Sequence, residues 1–203
     1  PTENDYILLK VTGTEQITLE KKYPGVKIKF MGHINNVRVP FSVDLGIDDV
    51  IVPDAVVRRL STRLEGFEAP EIFTYSLEST ISEKFDAIIQ RMEMTSRMKD
   101  FFDIYYLSSA FDFSGSTLKE AVLQTVRHRG RILEQNTFTR IRGFADDSFM
   151  KTQWIRFEPA KEAGLGFPEV LYQLDQFLRP IYDSILSGEE FDYQWSCSQK
   201  AWV

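Results

Sequence analysis

Apolar and polar residues alternate along the first part of the chain and then change rhythm. Tyr6–Val11 is a short apolar run, and Gln16–Glu20 alternates. Val26–Met31 places Val26, Ile28 and Phe30 on one side and Lys27 and Lys29 on the other. Val37–Leu45 alternates again. A period of two is the signature of strands. His33–Asn36 has turn chemistry, so the last two runs predict an antiparallel hairpin. Pro24-Gly25 marks a turn before it, and Pro40 points to an edge position or a bulge. Strand-like patterning holds for about the first 55 residues.

From Tyr75 the spacing becomes helical. Ser76–Met94 sets Leu77, Ile81, Phe85, Ile88 and Ile89 on one side, with Ser76 as a weak cap. Ser96–Leu107 is a second, aromatic helix. A turn over Ser108–Ser116 leads to a third helix running to about Ile132, with Ser116 or Thr117 and Glu120 as a capping box. Ser148–Arg156 predicts a short helix, and Pro168–Leu186 a long amphipathic one. Trp195 and Trp202 are expected packing anchors. Strands followed by helices predict an α+β fold, with a β-rich part over 1–70 and a helical part over 71–203.

Composition narrows the function classes. With 203 residues, 43% hydrophobic and 27% charged, the chain can bury a core. No run of ~18 uncharged apolar residues predicts a membrane helix. The lone Cys197 excludes an internal disulfide and points to a reducing, cytoplasmic setting. A net charge of −6 argues against a broadly basic nucleic-acid surface. Two histidines, His33 and His128, cannot build a His-rich zinc site. Neither a phosphate-binding glycine loop nor a nucleophile elbow is present.

Four places could carry chemistry. Asp44 ends an alternating strand before Gly46, as either a solvated polar-face residue or a metal or catalytic carboxylate. Lys84 lies mid-helix near Ile81 and Ile88, where a lysine either snorkels to water or meets a phosphate. In Ser96–Asp103, Asp100 and Asp103 share a helix face and lie among aromatics. Arg97 and Lys99 could pair with them as helix support, or all four could form a site. Arg127, His128, Arg129, Arg131, Arg140 and Arg142 are the one basic concentration, either a solvated helix end or a polyanion site.

Several of these residues fall into a known pattern. Tyr75-Ser-Leu-Glu78-Ser-Thr-Ile81-Ser-Glu83-Lys84-Phe-Asp-Ala87, followed by Ser96-Arg97-Met98-Lys99-Asp100-Phe-Phe-Asp103-Ile-Tyr105, resembles the AbiEii/AbiGii family of nucleotidyltransferase-like toxins. Tyr23–Val26 and Val43–Pro53 look like that family's hairpin, and Arg127 is similar to the arginine of its third helix. The resemblance covers roughly residues 15 to 160. It implies a partial DNA-polymerase-β-like nucleotidyltransferase sheet, antiparallel or mixed, followed by a helical C-terminal part. It implies Mg²⁺-dependent nucleotide transfer from an NTP to an RNA or protein acceptor, and an antitoxin acting at the gene level. Carried over by position, Asp44 is the metal carboxylate, Lys84 binds the triphosphate, and Asp100 is the catalytic acidic residue. Arg97, Lys99 and Arg127 join Lys84 in nucleotide binding, and Asp103 supports the site.

The family's opening Gly-Ser turn and Asp-x-Asp pair do not occur here. Gly13-Thr14 is followed by Glu15 and Glu20 instead. The chain, opening at Pro1, is therefore expected to be the back portion of such an enzyme and inactive alone, or else a non-catalytic binding module of the same descent. If the positional match holds, Asp44, Lys84 and Asp100 converge in one cleft. An open sheet edge is expected to favour self-association.

Overall fold

A computed structural model describes residues 6–17, 25–46, 50–63 and 65–203. The chain divides into two compact units, Pro1–Asp49 and Val50–Val203.

The first unit is an antiparallel sheet of β1 (Ile7–Ile17), β2 (Gly25–Ile34) and β3 (Val37–Leu45), in the order β1-β2-β3. The run expected at Tyr6–Val11 and the first two residues of the run expected at Gln16–Glu20 belong to one strand here, continuous across a bulge between Val11 and Gly13, and residues 18–20 fall outside the described residues. A bulge takes up one extra residue without ending the strand, which is why the pattern broke while the strand did not. Asn35 takes a left-handed conformation, φ 51°, in the β2–β3 turn, as a two-residue hairpin loop requires. Pro40 sits opposite Met31 on the edge strand β3, where a residue without an N–H is tolerated. Ile28 faces Val43, and Phe30 stacks on Phe41 with ring centres 5.1 Å apart. These residues share the apolar side of the pleat, and Lys27, Lys29 and Asp44 lie on the other. Pro24, Glu20, Asp48 and Asp49 fall outside the described residues.

The second unit opens with a hairpin of β4 (Val56–Arg59) and β5 (Glu71–Thr74). Each strand has four residues, too few to show a period, so neither is legible in the sequence. The boundary expected at residue 70 falls between these two strands, and both belong to the second compact unit. The helices follow: α1 (Leu77–Arg91) with a 3₁₀ turn at Met92–Met94, then α2 (Met98–Ala110). After the short strand β6 (Phe113–Ser114) come α3 (Gly115–His128), α4 (Thr137–Gly143), α5 (Ser148–Arg156), α6 (Glu158–Glu162) and α7 (Phe167–Ser187). Two strands, β7 (Gln194–Ser196) and β8 (Ala201–Trp202), join β6 in an antiparallel sheet ordered β6-β7-β8.

Capping explains most boundaries. The Ser76 hydroxyl accepts from Ser79 N at 3.1 Å and starts α1. Its own proton goes to Val52 O at 2.8 Å, and Ser79 Oγ accepts from Val52 N at 2.7 Å. The cap of α3 is Ser114, accepting from Thr117 N, rather than Ser116 or Thr117. The same helix stops at His128, short of Ile132, because Gly130 turns left-handed at φ 59°. Asp147 caps α5 through Met150 N at 2.8 Å. Gly188, φ 75°, ends α7.

One core joins these elements. It takes Ile81, Phe85 and Ile88 from α1, Phe101 and Ile104 from α2, Leu118 and Val122 from α3, and Leu174, Phe177, Leu178 and Ile181 from α7. The C-terminal stretch closes it. Trp195 is fully buried and donates from Nε1 to Ser108 O at 2.7 Å, and Trp202 donates to Phe177 O at 3.0 Å. Cys197 N donates to Asp112 at 2.8 Å, which holds the Asp112 carboxyl below its ordinary range. The Asp112 carboxylate in turn raises the Cys197 thiol.

Gly115 N donates to Tyr193 O at 2.8 Å, and a Cβ at Gly115 would lie 2.6 Å from that oxygen and 2.6 Å from Phe191 Cδ1. The approach therefore requires glycine. Gly115→Ala is expected to destabilise the helical unit by about 1–3 kcal/mol, the usual range for overpacking. Urea unfolding followed by circular dichroism measures it, and an unchanged midpoint would reject the close approach.

Candidate functional site

Lys84 is where the sequence left two readings open. It lies on α1 with its side chain only 20% exposed, so it does not snorkel freely to water. Its ammonium group is paired with Asp103 and lies 3.6 Å from Asp100 Oδ1, both on α2. Two other cations close around the same carboxylates. Arg97 Nε is 2.9 Å from Asp100 Oδ2, and Lys99 is paired with the Asp103 oxygen that also meets Lys84.

Local structure explains how α2 presents these groups. Arg97 occupies the N-cap position without a side-chain capping bond, and Asp100 lies in the first turn, where the helix dipole favours a negative charge. Spacings of three and four then put Arg97 beside Asp100 and Lys99 beside Asp103. Phe101 and Ile104, between them on the other side, go into the core and fix the rotation of α2. Ile81, Phe85 and Ile88 do the same for α1. The Ser82 and Thr125 hydroxyls meet at 3.0 Å between α1 and α3.

The Asp100 side chain is 6% exposed. Its Oδ2 accepts no hydrogen bond among the described residues, because the Arg97 contact is ionic and outside hydrogen-bond geometry. The ionic contact with Arg97 compensates the charge of this buried oxygen.

The remaining expected residues lie on other elements. Asp44 lies in the first unit, exposed, with its carboxylate 3.6 Å from Lys27 across the β2–β3 pair. Arg127 is exposed on the last turn of α3 and makes no ion pair among the described residues. The basic concentration around it is largely committed within the chain. Arg129 pairs with Glu83 at 2.8 Å, and Arg131 grips both oxygens of Asp86 at 2.7 and 2.9 Å. Arg140 pairs with Glu93 at 2.7 Å and Glu134 at 3.1 Å. Its hydrogen bond holds the Glu93 carboxyl below its usual range. For Arg129, Arg131 and Arg140 the structural role holds. The partners on α1 and in the turn after it lie some 45 residues away in sequence, and no local pattern signals them.

Mg²⁺ does not fit the Lys84 cluster. Both carboxylates are already neutralised by lysine or arginine, whereas Mg²⁺ needs oxygen ligands free to coordinate it. Among the described residues, no three His, Cys, Asp or Glu side chains stand together as a metal site. An anionic phosphate matches the cluster's charge better.

The described residues form an antiparallel three-stranded sheet in one unit and, in the other, a mainly helical array with a lysine–aspartate cluster between its first two long helices, an α+β fold. A family model described as the nucleotidyl transferase AbiEii toxin of type IV toxin–antitoxin systems matches residues 3–178. The chain belongs to that family, whose membership implies an antitoxin partner. No match was found among curated proteins or among solved structures. No helix among the described residues is long and apolar enough to cross a membrane.

Proposed function

We propose that the Lys84 cluster binds the triphosphate of an NTP in a nucleotidyltransferase-type toxin. One observation carries this reading. Lys84, Arg97 and Lys99 converge on Asp100 and Asp103, and three cations against two carboxylates leave the cluster with one net positive charge. A lysine held in this way meets phosphate as a point charge, and Arg97 and Lys99 widen the cationic surface. Asp100 is the acidic residue beside the phosphates, with a buried oxygen able to accept a proton or a hydrogen bond. Asp44 keeps the metal role that the family resemblance implies, since the Lys84 cluster does not suit Mg²⁺. The acceptor on this reading is a hydroxyl of RNA or protein, and the antitoxin acts at the gene level. Arg127 is left without a role.

A second reading, a nucleotide-binding module without transfer, draws support from the lack of a three-ligand metal group among the described residues. The two part in one experiment. The full chain is titrated with ATP, and then incubated with labelled NTPs, Mg²⁺ and cellular RNA and protein. Lys84→Met is expected to weaken ATP binding at least about tenfold, the equivalent of one lost ion pair of ~1.4 kcal/mol. It leaves Asp100 with Arg97 and Asp103 with Lys99, so the fold survives. Unchanged affinity would reject the binding role. Labelled RNA or protein would favour the enzyme, and binding without label the module.

A further inference from the structure

The chemistry of Asp103 differs from that of Asp100. Asp100 is nearly sealed off and faces Arg97, with Lys84 at 3.6 Å. Asp103 is 19% exposed, and a single one of its oxygens is shared by the ammonium groups of Lys84 and Lys99. Lys99 is itself 70% exposed, so this shared oxygen lies at the solvent margin of the cluster. Two lysines gathered on one oxygen form the arrangement that a phosphate oxygen takes between two lysines. The tether holding them is short, because Lys99 and Asp103 are one helical turn apart on α2.

Resting on the triphosphate-binding reading above, we propose that Asp103 is an internal counter-anion. It occupies the phosphate position between Lys84 and Lys99 when no ligand is bound, and an incoming phosphate displaces it. The carboxylate keeps the two ammonium groups together against their mutual repulsion and sets the affinity low. Only an anion that joins several phosphate groups, such as a nucleoside triphosphate or an inorganic polyphosphate, carries enough charge to exchange with it. Asp103 is therefore a residue that tunes affinity and specificity for highly charged phosphate chains. It binds no metal and takes part in no bond exchange.

The test is isothermal titration of the full chain with sodium tripolyphosphate and with orthophosphate. Asp103→Asn removes the charge and keeps the shape. It is expected to tighten tripolyphosphate binding about tenfold, the worth of one ion pair no longer broken on binding. It is also expected to let orthophosphate bind measurably. Asp103→Ser serves as a second variant, and thermal melting of both verifies the fold. Asp146→Asn changes the net charge equally at a side chain that is 96% exposed and paired only with Lys151 at 3.8 Å, and should leave affinity within about twofold, since an exposed surface ion pair contributes little. Equal or weaker binding by Asp103→Asn and Asp103→Ser, with wild-type binding still dependent on Lys84, would overturn the counter-anion. So would an equal gain from Asp146→Asn. Wild-type binding that ignores Lys84→Met would instead sink the triphosphate reading itself, and the counter-anion with it.

Discussion

Replacing Trp195 by alanine is expected to cost the helical unit about 3–5 kcal/mol, the range for removing a large buried aromatic. The whole stability of a domain of this kind is ~5–15 kcal/mol, so the variant should sit at the edge of folding at 37 °C. The indole is completely buried, with its ring centre 4.8 Å from Phe177 and 5.5 Å from Trp202. Its Nε1 donates to Ser108 O at the end of α2. Alanine leaves a cavity among α7, β6 and β8 and also leaves that carbonyl without its donor. Urea unfolding followed by far-ultraviolet circular dichroism reads the loss. A midpoint within experimental error of the parent would reject the anchor role. Trp195→Phe keeps most of the volume but loses the N–H, and should fall between the two.

The second large effect is expected at Arg131. Arg131→Met strips both hydrogen bonds from Asp86, whose carboxylate is 7% exposed. An uncompensated buried charge typically costs ~3–5 kcal/mol. Replacing both partners, Asp86→Leu with Arg131→Met, should recover most of that loss, because an apolar pair of similar size needs no counter-charge. Chemical denaturation of the two singles and the double closes the cycle. A double variant as unstable as Arg131→Met alone would show that the cost lies in lost packing rather than in the orphaned carboxylate.

Both effects depend on partners distant in sequence, Ser108 for Trp195 and Asp86 for Arg131. The long periodic elements were legible: α7 from its apolar stripe, α5 at Ser148–Arg156, and β3 at Val37–Leu45. Trp195 and Trp202 were legible as anchors, though not what they anchor to. The strands β4, β5 and β6 were not, because two to four residues show no period. The helices α4 and α6, of seven and five residues, escaped for the same reason. Within the candidate site, Lys84, Arg97, Lys99, Asp100 and Asp103 all stand out in the sequence. What could not be read was that one oxygen of Asp103 serves two lysines, since that depends on how α1 and α2 are rotated against each other. The arginines after α3 looked alike as a run, and only the fold distinguishes Arg131, clamped on Asp86, from Arg127 on the surface.

The tie from Trp195 to Ser108 and from Tyr193 to Gly115 joins residues made about eighty positions apart. During synthesis, α2 and α3 leave the ribosome well before the segment that seals them. Until residues 191–202 emerge, the faces of Phe113 and Phe177 that receive Trp195 stay open to water or to chaperones. A nascent chain stalled short of that segment thus carries the Lys84 cluster but lacks the finished core beneath it. Premature termination should therefore yield a protease-sensitive fragment rather than a smaller folded form.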